Sequence, residues 1–110
     1  MNKVVYIAGP ITSVENYKEP FEEAAKEIKA MGFIPITPTW QPQGRQYKHY
    51  IDECLAILRD VDAAVFLPGW ENSNGAAFEY GYCTTVDIPT VHVHGNWDWK
   101  EALRGALIDE

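Results

Sequence analysis

The chain is short of cysteine, of basic side chains and of long apolar runs, and each shortage closes off a class of function. Only two cysteines occur among 110 residues, Cys54 and Cys83. They lack CxxC spacing and both fall in stretches with a helical pattern, so they read as reduced, partly buried thiols rather than a disulfide framework or a metal site. Nine basic residues face sixteen acidic ones, a net charge of −7. An acidic surface repels a long phosphate backbone, which disfavours a nucleic-acid polymer as the main partner. A mononucleotide stays possible, because backbone N–H groups at a helix start hold one phosphate without a basic patch. No apolar run approaches the roughly 20 residues needed to cross a bilayer. The start Met1-Asn2-Lys3-Val4-Val5 carries no signal-peptide pattern, and the expected location is the cytoplasm, away from membranes. Internal repeats and low-complexity segments are also missing.

What is present fits one globular domain over residues 1–110, with 46% hydrophobic and 23% charged residues. The stretch from Lys3 to Ala8 is β-rich and too apolar for one wet face, as in a central parallel strand. It ends at Gly9-Pro10, a turn at which backbone can approach a ligand closely. A helix is predicted from Pro20, with Phe21, Ala24, Ala25, Ile28 and Met31 on one face and Gly32 as its stop. Phe33 to Ile36 reads as a second strand, placed at an edge by Pro35. A long loop from Thr37 to Tyr47 carries Trp40 and reads either as a binding loop or as a surface connection. Arg45, Lys48 and His49 beside it are either a phosphate contact or solvated charges.

Tyr50, Ile51, Cys54, Leu55, Leu58 and Val61 give a second helical stripe, and Asp62 to Leu67 a third strand. A helix follows from about Gly75 to Thr85, then a fourth strand from Pro89 to Val93. Its His92 and His94 alternate as on an exposed edge, although His94 near the strand end can face a pocket. A last helix begins at Asn96-Trp97-Asp98, with Trp99, Leu103, Leu107 and Ile108 available to dock on the sheet or a partner. Strand and helix alternation gives an α/β fold, a flavodoxin-like three-layer sandwich with a parallel sheet in the order 2-1-3-4 and room for a fifth element at the C-terminus. The ligand crevice of such a sheet lies where the winding reverses, at the carboxyl ends of strands 1 and 3. Those ends are Gly9-Pro10 and Pro68-Gly69, both glycine turns.

Glu79 is the only charged side chain between Gly75 and Val86. Its helical neighbours toward the N-terminus, Gly75 and Ala76, have almost no side chain, and helical side chains lean that way. The carboxylate is therefore expected to face space at the crevice, favoured as an anion by the helix dipole. A fixed carboxylate in that setting is what a nucleophile toward a sugar carbon requires; the blander reading is a solvent-exposed helical Glu. Tyr6 can reach across to Glu79 with its phenol or simply pack. Asn72, Ser73 and Asn74 are N-cap candidates whose helix start can also receive a phosphate or ribose hydroxyl. Trp40 and Trp70 can stack on a base or cap the core.

Tyr6-Ile7-Ala8-Gly9-Pro10, taken with Leu67-Pro68-Gly69-Trp70-Glu71, Ser73, Gly75-Ala76 and Glu79, resembles the nucleoside 2-deoxyribosyltransferase superfamily. It is most similar to a branch of small phage and bacterial deoxyribosyltransferase-like proteins. The resemblance spans most of the chain, to about Val93, and includes the deoxynucleoside 5′-monophosphate N-glycosidases. It implies a flavodoxin-like core, a homodimer or higher homo-oligomer, and no metal or other cofactor. Position by position, it implies that Glu79 attacks C1′ of a deoxyribose to form a glycosyl-enzyme and that Tyr6 orients it. Gly9 would line the sugar site, and Ser73 and Gly75 would lie near the 5′ end of the substrate. Pro10, Gly69, Trp70, Glu71 and Asn74 complete the expected binding set with Trp40. The family also places an Asp on the helix before strand 3, where this chain has Cys54. Asp52 is then the candidate proton donor, and Glu71 is a second carboxylate near the site. The expected activity is cleavage or transfer at the N-glycosidic bond of a deoxynucleoside or its 5′-monophosphate, with hydrolysis slightly favoured over transfer. The alternative is a non-catalytic nucleotide-binding module on the same scaffold.

Overall fold

A computed structural model of the protein describes residues 3–10, 18–37, 55–94 and 98–108. Trp40, Asp52, Cys54 and the Arg45, Lys48 and His49 group lie outside the described residues. The elements run β1 (Val4–Ala8), α1 (Lys18–Ala30), β2 (Ile34–Ile36), β3 (Ala63–Phe66), a 3-10 turn (Trp70–Asn72), α2 (Asn74–Thr85), β4 (Thr90–His92) and α3 (Trp99–Leu107). Residues 55–58 are also helical, within the second predicted stripe. The four strands form one parallel sheet in the order β2-β1-β3-β4. No fifth strand occurs among the described residues, and the C-terminal element is α3.

Two apolar faces, alternating along each strand, make the three layers. Val5 and Ile7 of β1 and Ala63 and Val65 of β3 point to one side, where Phe21, Ala24 and Ile28 of α1 and Leu103 and Leu107 of α3 cover them. Tyr6, Ala8, Ala64 and Phe66 point to the other, under Leu58, Ala76 and Cys83. All four β3 residues are buried, as expected of an inner parallel strand. Pro35 sits in β2, the edge strand, where its missing N–H costs no inner ladder bond.

The helix signals act as the sequence predicts, with small shifts in register. The first helix starts at Lys18, two residues before Pro20, and ends at Ala30, with Gly32 in the turn beyond it at φ 94°. There the Phe33 N–H donates to the Ile28 carbonyl at 3.2 Å, closing the helix end. On α3, Asp98 accepts from the Glu101 N–H at 3.2 Å as N-cap. Leu103 and Leu107 dock on the sheet as expected, Trp99 packs partly, and Ile108 is 56% exposed. Ile108 lies past the last helical turn and does not dock. No helix of the described residues is long and apolar enough to cross a membrane.

Candidate active site

The register of the central strands sets the site. Ala8 of β1 lies level with Phe66 of β3, so Gly9-Pro10 and Pro68-Gly69 leave the sheet side by side. The Leu67 N–H donates to the Ala8 carbonyl at 2.8 Å across this seam. Both glycines are closely packed there. A Cβ on Gly9 would stand 3.1 Å from Leu67 Cβ and 3.3 Å from Phe21 Cζ, so its packing inside the chain already accounts for it. Gly69 has φ 89°, and a Cβ on it would meet Pro10 Cγ at 3.3 Å. The two turns therefore touch, which brings Gly9, Pro10 and Gly69 to the predicted crevice.

From Gly69 the chain winds through a 3-10 turn that the sequence reading does not foresee. The Asn72 N–H donates to the Gly69 carbonyl at 3.1 Å and the Ser73 N–H to that of Trp70 at 3.1 Å. Ser73 then caps α2, its Oγ accepting from the Ala76 N–H at 3.3 Å. Asn74 opens the helix, and its side chain is outside the described set. Gly75 and Ala76 are buried, so this end of α2 lies close against the sheet.

Glu79, one turn further, is 1% exposed. Its carboxylate does not stand open to solvent or to empty space; Tyr6 Oη donates to Glu79 Oε2 at 2.9 Å. The cause is local. Gly75 and Ala76 let the helix approach, its side chains lean toward its N-terminus, and Tyr6 projects from β1 toward α2 between Ile36 and the small Ala64 in register. Tyr6 is itself 1% exposed. Burying a carboxyl and a phenol is costly unless each finds a partner, and here each partners the other. No buried side-chain nitrogen or oxygen among the described residues lacks a partner. One turn beyond Glu79, Cys83 is fully buried. Burial, and then the negative charge of Glu79, push its thiol up to about 11, so it stays protonated and unreactive.

Gly69, Trp70 and Glu71 also border a cavity. With Pro68 they form one wall of this space of about 510 Å³, whose other lining comes from Thr90 to His94 and from Ala102 of α3. Beside it, four rings pack together: Phe66 of β3, Trp70, Tyr80 of α2 and His92 of β4. The Trp70 and Tyr80 centroids are 4.8 Å apart, Trp70 and His92 5.3 Å, and Phe66 stacks on His92 at 5.6 Å with 26° between planes. Trp70 thus packs against the sheet. His92 is only partly exposed, not the freely solvated edge residue that its alternation with His94 indicates. Its imidazole is held below its ordinary value by burial, with Glu71 pulling it up and His94 pushing it slightly further down. The missed signal was spatial: Phe66 pairs with His92 in register, and only the sheet order makes that visible.

Residues 3–92 match the family described as a domain of unknown function, DUF4406. A comparison with curated protein sequences returns no significant match. Among solved structures, the fold resembles a 2-deoxyribosyltransferase from Leishmania mexicana with a TM-score of 0.66 at 22% identity. That match covers 82% of this chain and 63% of the other, so the chain spans less than two thirds of that protein. A 2-deoxyribosyltransferase from Bacillus psychrosaccharolyticus, described as a biocatalyst for nucleoside synthesis, superimposes with a TM-score of 0.67 at 14% identity. There the match covers 90% of this chain and 89% of the other. At these identities the likeness is one of fold, and at that level the resemblance drawn from the motifs holds.

Proposed function

This chain belongs to the DUF4406 family, and on that footing we propose that it cleaves or transfers the N-glycosidic bond of a 2′-deoxynucleoside or its 5′-monophosphate. The observation that carries this reading is the buried Tyr6–Glu79 pair at the switch point of the sheet. A carboxylate held by the Tyr6 phenol and shielded from bulk water suits in-line attack on C1′. The bond to the base breaks as the Glu79 oxygen bonds to C1′, through an oxocarbenium-like transition state, by analogy with retaining glycosidases. The departing base takes a proton, for which Asp52 is the proposed donor and Glu71 the second candidate. Water or a second base then takes the sugar from Glu79. Tyr6 orients the carboxylate throughout.

The start of α2 supports a 5′ group. Its backbone N–H groups and helix dipole favour an anion near Ser73 and Gly75, and this tilts the proposal toward a monophosphate hydrolase. Gly9, Pro10, Asn74 and Trp40 complete the proposed binding set. The protein is proposed to act as a homodimer or larger homo-oligomer, without metal or other cofactor. A second reading, a nucleotide-binding module without catalysis, is favoured by one feature: Cys54 stands where the resembling enzymes have an Asp.

Incubation with a panel of deoxynucleosides and their 5′-monophosphates separates the two. The enzyme reading expects free base; thermal stabilisation by nucleotides with no base released from any of them would support the binding module instead.

A further inference from the structure

The cavity between the Pro68–Glu71 loop and β4 is a place for a ligand apart from the Tyr6–Glu79 pair. Neither Tyr6 nor Glu79 is among the described residues that line it. Its volume, about 510 Å³, lies within the range of small-molecule sites. Val91, Val93, Pro68 and Ala102 give apolar lining, and Trp70 and His92 give two aromatic walls held fixed by Phe66 and Tyr80. Rigid aromatic walls favour a flat ring over a flexible chain. Glu71 is exposed and adds a carboxylate, an acceptor for N–H donors. No Lys or Arg occurs among the described lining residues, and the chain carries a net charge of −7. A phosphate or carboxylate ligand would thus meet like charge without a cationic partner.

We infer that this cavity binds a free, planar nitrogen heterocycle that carries N–H donors, stacked on Trp70 and His92 with those donors on Glu71. Naming that heterocycle as a nucleobase rests on the proposed nucleoside chemistry; the cavity's preference for a flat, uncharged N–H donor does not. The base freed or exchanged at Glu79 would then have a second place on the same molecule, on the β4 side of the Pro68–Glu71 loop.

The test uses the full chain carrying Glu79→Ala, in which turnover cannot confuse binding, and titrates adenine and cytosine by ¹H–¹⁵N correlation spectroscopy. Saturable shifts at Val91, Val93, His94 and Ala102 are expected, with 1,3-dimethyluracil, a planar ring without an N–H donor, binding more weakly. Adding Glu71→Gln should weaken adenine about tenfold, the equivalent of one lost charge-assisted hydrogen bond. Adding Ala102→Phe, which fills the cavity from α3, should remove the shifts. Shifts confined to Tyr6, Gly9 and Ser73, undiminished binding in both added variants, or a response to choline but to no base would each overturn the inference. Base release by the wild-type chain is read separately, so this cavity and the glycosyl reaction can fail independently.

Discussion

At the scale of single residues, the molecule turns on two side chains 73 positions apart that bury each other's polar atoms. Glu79 was legible because it is the lone charge in an otherwise uncharged helix, a pattern that makes a surface position uneconomical to explain. Its contact with Tyr6 was legible only as one of two options, since strand periodicity gives the face but not the reach. Tyr6→Phe removes the hydrogen bond and leaves a buried carboxylate with one partner fewer. It should cost about 1–3 kcal/mol of stability, read from urea denaturation, and lower turnover more than it weakens substrate binding. Cys83 gives a second check. With its thiol held near 11 and fully buried, it should resist alkylation at pH 8 in the native protein and react only on unfolding. Modification of Cys83 in the folded chain, located by peptide mass, would contradict that burial. Gly69→Ala forces an L-residue to φ 89° against Pro10 and should lower stability by about 1–2 kcal/mol.

At the scale of elements, most signals came from helix ends and from periodicity. Gly32 and Asp98 end and begin helices through hydrogen bonds that their residue types announce. The 3-10 turn at Trp70–Asn72 gave no such announcement, because Trp-Glu-Asn has no dedicated turn chemistry and the shape is imposed by Gly69 and Ser73 at its ends. Helix α2 has no amphipathic stripe, so the face it buries follows from Ala76, Glu79 and Cys83 only once the sheet is in place. Ser73→Ala should remove its cap at a cost of about 1 kcal/mol. The β4 edge makes a pH prediction. The folded pKa of His92 lies below the ordinary value near 6.5, so the unfolded chain takes up the proton first as pH falls. The contribution of neutral His92 is complete above pH 6.5 and is lost as pH drops from there toward its folded pKa. His92→Phe keeps a ring in the cluster but does not titrate, and should lose less stability between pH 7.5 and 5.5 than the parent. Equal losses would show that His92 is solvated.

At the scale of the whole molecule, strand order, parallel pairing and the place of the crevice followed from alternation of elements and from two glycine turns. Right-handed crossovers leave few ways to wind such a chain, and the shared level of Ala8 and Phe66 realises one of them. What the pattern did not reveal was which residues of this one loop border the β4 cavity. Gly69, Trp70 and Glu71 all sit at the lip, but the described structure places them along the β4 cavity, while Ser73 continues toward the Tyr6–Glu79 side. That split depends on which way a short turn winds, and sequence spacing carries no information on it. The central claim is that Glu79 is the nucleophile of a glycosyl transfer. The most direct test mixes the wild-type and Glu79→Ala chains with deoxynucleosides and their 5′-monophosphates, then measures free base by chromatography and protein mass after rapid acid quench. The account predicts base release and a deoxyribosyl mass increment on wild type, with both falling at least about a thousandfold in Glu79→Ala at unchanged circular dichroism. Base release by Glu79→Ala at the wild-type rate would contradict it.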